Sequence, residues 1–253
     1  MIEHVQDIDR RWFKRFGRRD DAAQVRLLCF HHAGGNAALY RQWPRLMPPS
    51  IEPIAVQLPG RADRFNEPAY DRMTPLIDNL LEVIKPLLDG PFACYGISMG
   101  ARVAWTLTHA LRDRAMPLPI RLYLACDPGP VTDDGTFAWE GRPDGLAGYV
   151  RAMGGTPADV LNEPELLRAL LPTLRADLGV LRSNDFHPAI PLDVPIRAFA
   201  GIGDPIATPE RVDRWRTETT ASFELYRLLG GHFLHADGDA ERRVVWTIVQ
   251  DLI

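Results

Sequence analysis

Ser98 lies in Gly96-Ile97-Ser98-Met99-Gly100, between the apolar run Phe92-Ala93-Cys94-Tyr95 and the helical stretch Ala101-Arg102-Val103-Ala104-Trp105. A serine flanked this way at a strand–turn–helix junction sits on a tight turn with its hydroxyl pushed out past the sheet edge. The glycines leave room for strained backbone and for close strand–helix contact. With four serines and twenty glycines in the chain, chance supplies about 0.03 such patterns, so the motif carries meaning in this setting. Its chemistry is nucleophilic acyl transfer. A serine hydroxyl is a poor nucleophile at neutral pH and needs a base within hydrogen-bond reach, itself oriented by a carboxylate.

The expected chain order of these partners is serine, acid, histidine. Four histidines follow Ser98. His109 sits eleven residues on, along the helix behind the serine, and cannot turn back to it. His187 falls in an irregular region beside Pro188. His232 follows Gly230-Gly231 just past the last predicted strand, and His235 is its reserve. We therefore take His232 as the base. Two aspartates compete to orient it. Asp204 follows the run Ala198–Gly203 and precedes Pro205, while Asp127 ends Leu124-Ala125-Cys126 one strand earlier. Asp204 is preferred and Asp127 stays open as the alternative acid, the other serving as a turn or capping carboxylate.

The negative charge that develops on the substrate oxygen needs preorganised N–H donors. Met99, the residue after the nucleophile, offers one. The loop Phe30-His31-His32-Ala33-Gly34-Gly35-Asn36 offers the second, assigned to Ala33 with Gly34 as the neighbouring option. His31 and His32 then shape that loop. No cysteine–histidine spacing suggests a metal, and no cofactor is expected.

These residues need a scaffold. Short apolar runs at Val25–Phe30, Glu52–Gln57, Phe92–Tyr95, Arg121–Cys126, Pro195–Ala200 and Ser222–Leu228 read as strands. Stretches near Ala37–Leu46, Thr74–Leu88, Ala101–Arg112, Pro209–Thr217 and Ala240–Ile253 read as helices. This alternation predicts an α/β fold with a mostly parallel central sheet flanked by helices. One domain spans 1–253, with a core of 21–130 and 193–253. Between 131 and 192 the strand pattern stops. Leu146–Met153, Ala158–Leu161 and the leucine- and alanine-rich run Glu163–Leu181 predict a helical insertion there. It would lie over the sheet's carboxyl edge, where ligands bind in open α/β sheets, and we read it as a lid rather than a mere extra packing layer. Residues 1–20 form a basic arm with Arg10, Arg11, Lys14, Arg15, Arg18 and Arg19 among Trp12, Phe13 and Phe16. Its aromatic residues are expected to pack on the domain. The sharper reading is a docking patch for an acidic partner.

A formal charge of −4 argues against a nucleic-acid binder. The chain is 46% hydrophobic and 25% charged, ordinary for a water-soluble globular protein. Cys29, Cys94 and Cys126 each fall inside apolar runs and read as buried strand thiols. The N-terminus lacks a signal-peptide pattern and no run approaches membrane-spanning length, so a cytoplasmic location is expected.

The chain resembles the type II thioesterases that accompany nonribosomal peptide and polyketide synthases. The resemblance covers nearly the full length through Phe30–Asn36, Gln57-Leu58-Pro59-Gly60-Arg61, Gly96–Gly100, Met153–Pro157, Leu171–Asp177, Trp215 with Thr217, and Gly230–Phe233. It implies an α/β-hydrolase fold with a helical lid, a Ser98–Asp204–His232 triad and the amides of Met99 and Ala33 as oxyanion hole. It further implies release of acyl groups from the phosphopantetheine arm of acyl- or peptidyl-carrier proteins, with no nucleic-acid or membrane partner and a monomeric chain. Three positions depart from the family pattern. Ile97 stands where the family has His, His31 where it has Pro, and Cys126–Pro130 where it has a Ser-Gly segment. The third keeps Asp127 in play, because fused terminal thioesterase domains often carry their acid at that strand end. Product-releasing hydrolase or acyltransferase, general carboxylesterase, and a silent carrier-binding scaffold are the alternative functions.

Overall fold

The computed structural model describes residues 10–17, 23–129, 140, 144–154, 161–183 and 190–253. Among these, seven strands form one sheet: β1 (Phe13–Lys14), β2 (Val25–Phe30), β3 (Ile51–Val56), β4 (Phe92–Ile97), β5 (Leu122–Ala125), β6 (Ile196–Gly201) and β7 (Phe223–Leu228). Their order is β1-β3-β2-β4-β5-β6-β7. β1 runs antiparallel to β3, and the other pairings are parallel. The longer helices are α1 (Met73–Ile84), α2 (Met99–Asp113), α3 (Gly145–Met153), α4 (Pro164–Arg182) and α5 (Gly238–Leu252).

Side chains alternate across each strand, and the sheet is buried on both faces. Leu28, Phe30, Phe92 and Cys94 join one core. Leu27, Cys29, Ala93, Tyr95 and Ile97 join the other. That is why the central strands read as continuous apolar runs rather than alternating ones. α1 covers the first face with Met73, Leu76, Ile77, Leu80, Leu81 and Ile84, one helical stripe. α5 covers the second with Ala240, Val244, Val245 and Ile248. Asp237 caps α5, its carboxylate accepting from the amides of Asp239 and Ala240. All three cysteines are free and buried, and burial pushes their thiols up.

The expected strands are present, with Val25–Phe30 unchanged and no end displaced by more than two residues. Three helices differ from expectation. Ala37–Leu46 splits into a 3-10 turn at Ala37–Tyr40 and a short helix at Trp43–Leu46. Pro44 is harmless in the first turn of that helix, but in a continuous one it would delete a backbone hydrogen bond. α1 ends at Ile84, short of Leu88, and Pro86 lies in the 3-10 turn that follows. Pro209–Thr217 splits into a helix at Pro209–Val212 and a 3-10 stretch at Asp213–Glu218.

The N-terminal segment contributes a strand that sequence reading did not anticipate. Phe13 and Lys14 pair with Val56 and Ala55, and Trp12 and Phe13 are buried. Its cations are engaged within the chain: Arg11 with Glu67 at 2.7 Å, Lys14 with Asp63 at 2.5 Å, Arg15 with Glu52 at 3.0 Å. For these three residues the acidic partners within the chain favour the packing reading of the arm over a docking patch. Residues 1–9 and 18–22 lie outside the described residues.

α3 and α4 occupy the stretch between β5 and β6 and share a small core of Leu146, Val150, Leu167, Leu174 and Leu178. Residues 130–139, 141–143, 155–160 and 184–189, including His187, lie outside the described residues. No described helix is long and apolar enough to cross a membrane.

Glu67 offers a pH test of the N-terminal tether. A hydrogen bond from Arg64, aided by Arg11, lowers its carboxyl to about 2. Arg64 in turn lies over the Trp12 ring, 4.1 Å from its centroid. A carboxyl depressed by folding stabilises the native state fully above its unfolded value, and that contribution disappears as pH falls through the folded value. Urea unfolding of Glu67→Gln should therefore show a stability deficit that is constant from neutral pH to about 5 and closes towards pH 2. A deficit unchanged at pH 2 would assign the effect to packing instead.

Candidate active site

Ser98 follows β4 and directly precedes α2, with φ 54° and ψ −121°. Such a left-handed backbone costs a non-glycine residue energy and persists only where the surroundings impose it. Here the surroundings are two bare glycines. A Cβ on Gly96 would meet the Gly100 carbonyl oxygen at 2.2 Å, and one on Gly100 would meet the Phe30 oxygen at 2.1 Å. α2 can therefore press against both β4 and the end of β2.

His232 arrives from the other half of the sheet. β6 and β7 are paired in register, and beyond them Gly203 donates its amide to the Gly230 carbonyl at 2.9 Å. A Cβ on Gly201 would lie 2.2 Å from the Gly231 oxygen. The loops carrying Asp204 and His232 are thereby packed together. His232 Nδ1–H donates to Asp204 Oδ2 at 2.7 Å, and the Ser98 hydroxyl donates to His232 Nε2 at 3.0 Å. Asp204 Oδ1 accepts from the amides of Ile206 and Ala207 at 2.9 and 3.0 Å. Burial alone would raise the Asp204 carboxyl, but the His232 hydrogen bond and charge and the two amides outweigh it, holding the carboxyl below its ordinary value. A charged carboxylate on Nδ1 fixes the tautomer that leaves Nε2 free to accept a proton.

Asp127 is engaged elsewhere. Its Oδ1 accepts from Arg102 Nη2 at 3.1 Å and from the Gly129 amide at 2.9 Å, and its backbone oxygen accepts from Trp215 Nε1. Arg102 also donates to the Gly129 carbonyl. Of the two competing acids, Asp204 is the one on His232, and Asp127 anchors the turn after β5. The two other described histidines that follow Ser98 are engaged elsewhere too. His109 packs edge-on to Trp105, and burial lowers it to about 4. His235 stacks on His32 at 5.0 Å between ring centres, and burial, with His32 and His232 nearby, lowers it to about 3.

Met99 is the first residue of α2, so its amide has no partner within the helix. Ala33 lies on the loop after β2 and lines the same cavity as Ser98 and His232. The neighbouring option, Gly34, is corrected: its amide donates to Asp177 Oδ2 at 2.7 Å. Asp177 is 1% exposed and is gripped by Arg61 through Nη1–Oδ2 and Nη2–Oδ1 contacts of 2.6 and 2.8 Å. Sequence reading placed Arg61 and Asp177 only in family blocks. Ile97 points into the core cluster with Tyr95 and Phe199, away from the cavity, so its departure from the family pattern bears on packing.

The cavity over Ser98 measures about 240 Å³. α3 supplies Tyr149, Val150 and Met153, and α4 supplies Leu170, Leu174 and Leu178. The hydrogen-bonded Ser98–His232 pair thus opens onto a mostly apolar chamber, of the kind that suits an apolar ligand. Among the described residues no cluster of histidine, cysteine and acidic side chains could hold a metal.

A model of the thioesterase domain family matches residues 25–252. The chain belongs to that family. Linear gramicidin dehydrogenase LgrE of Brevibacillus parabrevis is 35% identical over 91% of this thioesterase and 90% of its own length. The RedJ thioesterase of the prodiginine pathway of Streptomyces coelicolor superposes with a TM-score of 0.84 at 35% identity, covering 93% of this chain and 89% of that one. The type II thioesterase BorB of the borrelidin cluster superposes with a TM-score of 0.81 at 28% identity, covering 96% and 98%. The α/β-hydrolase fold and the thioesterase assignment expected from sequence are those found.

The two aspartates should separate experimentally. Asp204→Asn keeps the shape but removes the charge that sets the His232 tautomer, and turnover is expected to fall about 10⁴-fold with little loss of stability. Asp127→Asn breaks the buried pair with Arg102 and should cost about 3 kcal/mol in urea unfolding while the folded enzyme keeps most of its turnover. The reverse pattern would reinstate Asp127 as the acid.

Proposed function

We propose that this thioesterase hydrolyses acyl thioesters presented on the phosphopantetheine arm of a carrier protein, clearing stalled acyl groups from a nonribosomal peptide or polyketide synthase. The observation that carries the reading is the continuous hydrogen-bond chain from Ser98 through His232 to Asp204 at the floor of an apolar cavity. The names of RedJ, a thioesterase of a biosynthetic pathway, and of BorB, a type II thioesterase of a biosynthetic cluster, support it. The word dehydrogenase in the name of LgrE belongs to that protein. Here the glycines around Ser98 serve a nucleophile's turn.

In this mechanism His232 Nε2 takes the Ser98 proton as the hydroxyl oxygen attacks the thioester carbonyl. The tetrahedral oxyanion rests on the amides of Met99 and Ala33. Its collapse breaks the C–S bond, and His232 returns the proton to the departing pantetheine sulfur. Water, deprotonated by His232, then attacks the acyl-serine and releases the carboxylic acid. A thiolate is a better leaving group than an amine, so the acid step asks little of His232. Nothing beyond the pantetheine that arrives with the substrate is required, and no resident cofactor is proposed.

The test is a panel of acyl groups on one carrier protein, assayed with wild type and Ser98→Ala. Wild type should release free acid, and Ser98→Ala should lose about 10⁵-fold or more in kcat. Comparable rates across the panel would support clearing, whereas one strongly favoured acyl group would support dedicated release. Ester or amide products would identify an acyltransferase. Efficient turnover of simple soluble esters with no gain from a carrier would make it a general esterase. Near-normal hydrolysis by Ser98→Ala would remove the nucleophile assignment altogether.

A further inference from the structure

We propose that Asp177, carried on the cavity-lining helix α4 and charge-compensated by Arg61, is a positioning residue that fixes the oxyanion loop so that the Ala33 amide faces the reacting oxygen. The proposal rests on the acyl-transfer reading above. It starts from how two successive peptide units of the loop are held. A trans peptide points its N–H and C=O in opposite directions, and no cis bond occurs among the described residues. In the His32–Ala33 unit, the His32 carbonyl accepts from the Gly35 amide at 3.0 Å and from His31 Nδ1–H at 2.8 Å. The Ala33 N–H is therefore turned the other way.

In the next unit, the Ala33 carbonyl accepts from His32 Nδ1–H at 2.9 Å, and the Gly34 N–H donates to Asp177 Oδ2 at 2.7 Å. The two planes meet at the Ala33 Cα, so holding the second restricts the rotations that could reorient the first, and with it the Ala33 N–H. Gly34, at φ +75°, is the weak point, because glycine visits either sign of φ at little cost. A buried charged acceptor on its amide selects one orientation, and charge-assisted bonds of this kind are about twice as strong as neutral ones.

Arg61 completes the device. Besides its fork on Asp177, it donates from Nε to the Pro59 carbonyl at 3.0 Å and from Nη1 to the Gly35 carbonyl at 3.4 Å. It thus binds both the carboxylate and the far end of the same loop. α4 itself is fastened independently of the loop: Thr173 Oγ1 donates to the Gly60 carbonyl at 2.7 Å, and Ser183 Oγ accepts the Met73 amide at 2.8 Å. The helix that walls the acyl cavity thereby sets the oxyanion donor through one carboxylate. His31, unexpected at its position, has a matching role. Burial, followed by the nearby Arg61 charge, pushes it well below its ordinary value, which suits a neutral ring donating from Nδ1.

The experiment compares wild type, Asp177→Asn and Thr173→Val as full-length proteins, using an octanoyl-pantetheine thioester and an alkylboronic acid. The boronate's tetrahedral adduct on Ser98 places an oxygen where the oxyanion would sit. Rates are normalised to Ser98 titrated with a fluorophosphonate, so a partly unfolded variant still reports. Asp177→Asn should lose about ten- to a hundredfold in kcat with KM within about threefold, and boronate affinity should fall by the same factor. Thr173→Val, which loosens α4 without touching the loop, should keep kcat within about threefold. Unchanged kcat in Asp177→Asn, a loss carried by KM, or an equal kcat loss in Thr173→Val would overturn the proposal and leave Asp177 a fastener of α4. A wild-type protein that fails to cleave the thioester would sink the functional reading instead, and the boronate comparison would still decide the role of Asp177.

Discussion

The first turn of α2 lies so close to the end of β2 that Gly100 has no space for a single added carbon. That approach has two consequences at once. It holds Ser98 at a positive φ and throws the hydroxyl clear of the sheet. It also puts the loop after β2, with Ala33, beside the nucleophile. The position of the Ser98 hydroxyl and that of the Ala33 loop thus both follow from one backbone contact. The strain at Ser98 is sustained by the packed core on either side, where β4 lies fully buried between β2 and β5.

Three buried aspartates lie around this centre, two facing an arginine and one an imidazole. Asp127 pairs with Arg102, Asp177 with Arg61, and Asp204 with His232. Burying a carboxylate is tolerable only with a partner and filled hydrogen bonds. An arginine partner stays protonated throughout turnover, so Asp127 and Asp177 are static struts. An imidazole, unlike a guanidinium, can gain and lose a proton near neutral pH, so Asp204 is the one of the three whose partner can take part in proton transfer. The same requirement for a partner is met by arginine at Asp127 and Asp177 and by imidazole at Asp204.

The N-terminal segment follows similar logic on the outside of the sheet. Its cations meet Glu52, Asp63 and Glu67, while Trp12 and Phe13 enter the core. Surface pairs of this kind contribute little individually. Here they accompany aromatic burial and an edge strand that covers the exposed side of β3.

Much of this was legible in the residues themselves. The Gly-x-Ser-x-Gly turn, the alternation of apolar runs with amphipathic stretches, and a histidine after two glycines past the last strand are local patterns imposed by local physics: steric room, periodicity and chain order. β1 was illegible because two residues are too few to display a period. The division of Ala37–Leu46 turned on one proline within an otherwise helical composition. The chain favoured Asp204 over Asp127 but left both open, since both follow neighbouring parallel strands; the packing of the Asp204 loop against Gly230 and Gly231 is what puts it on His232. The Arg61–Asp177 pair spans 116 positions and leaves no periodic or spacing signal. Sequence determined which groups could do the chemistry; tertiary packing alone decided which carboxylate meets which cation, because that depends on distances between segments that only the closed sheet and its covering helices bring together.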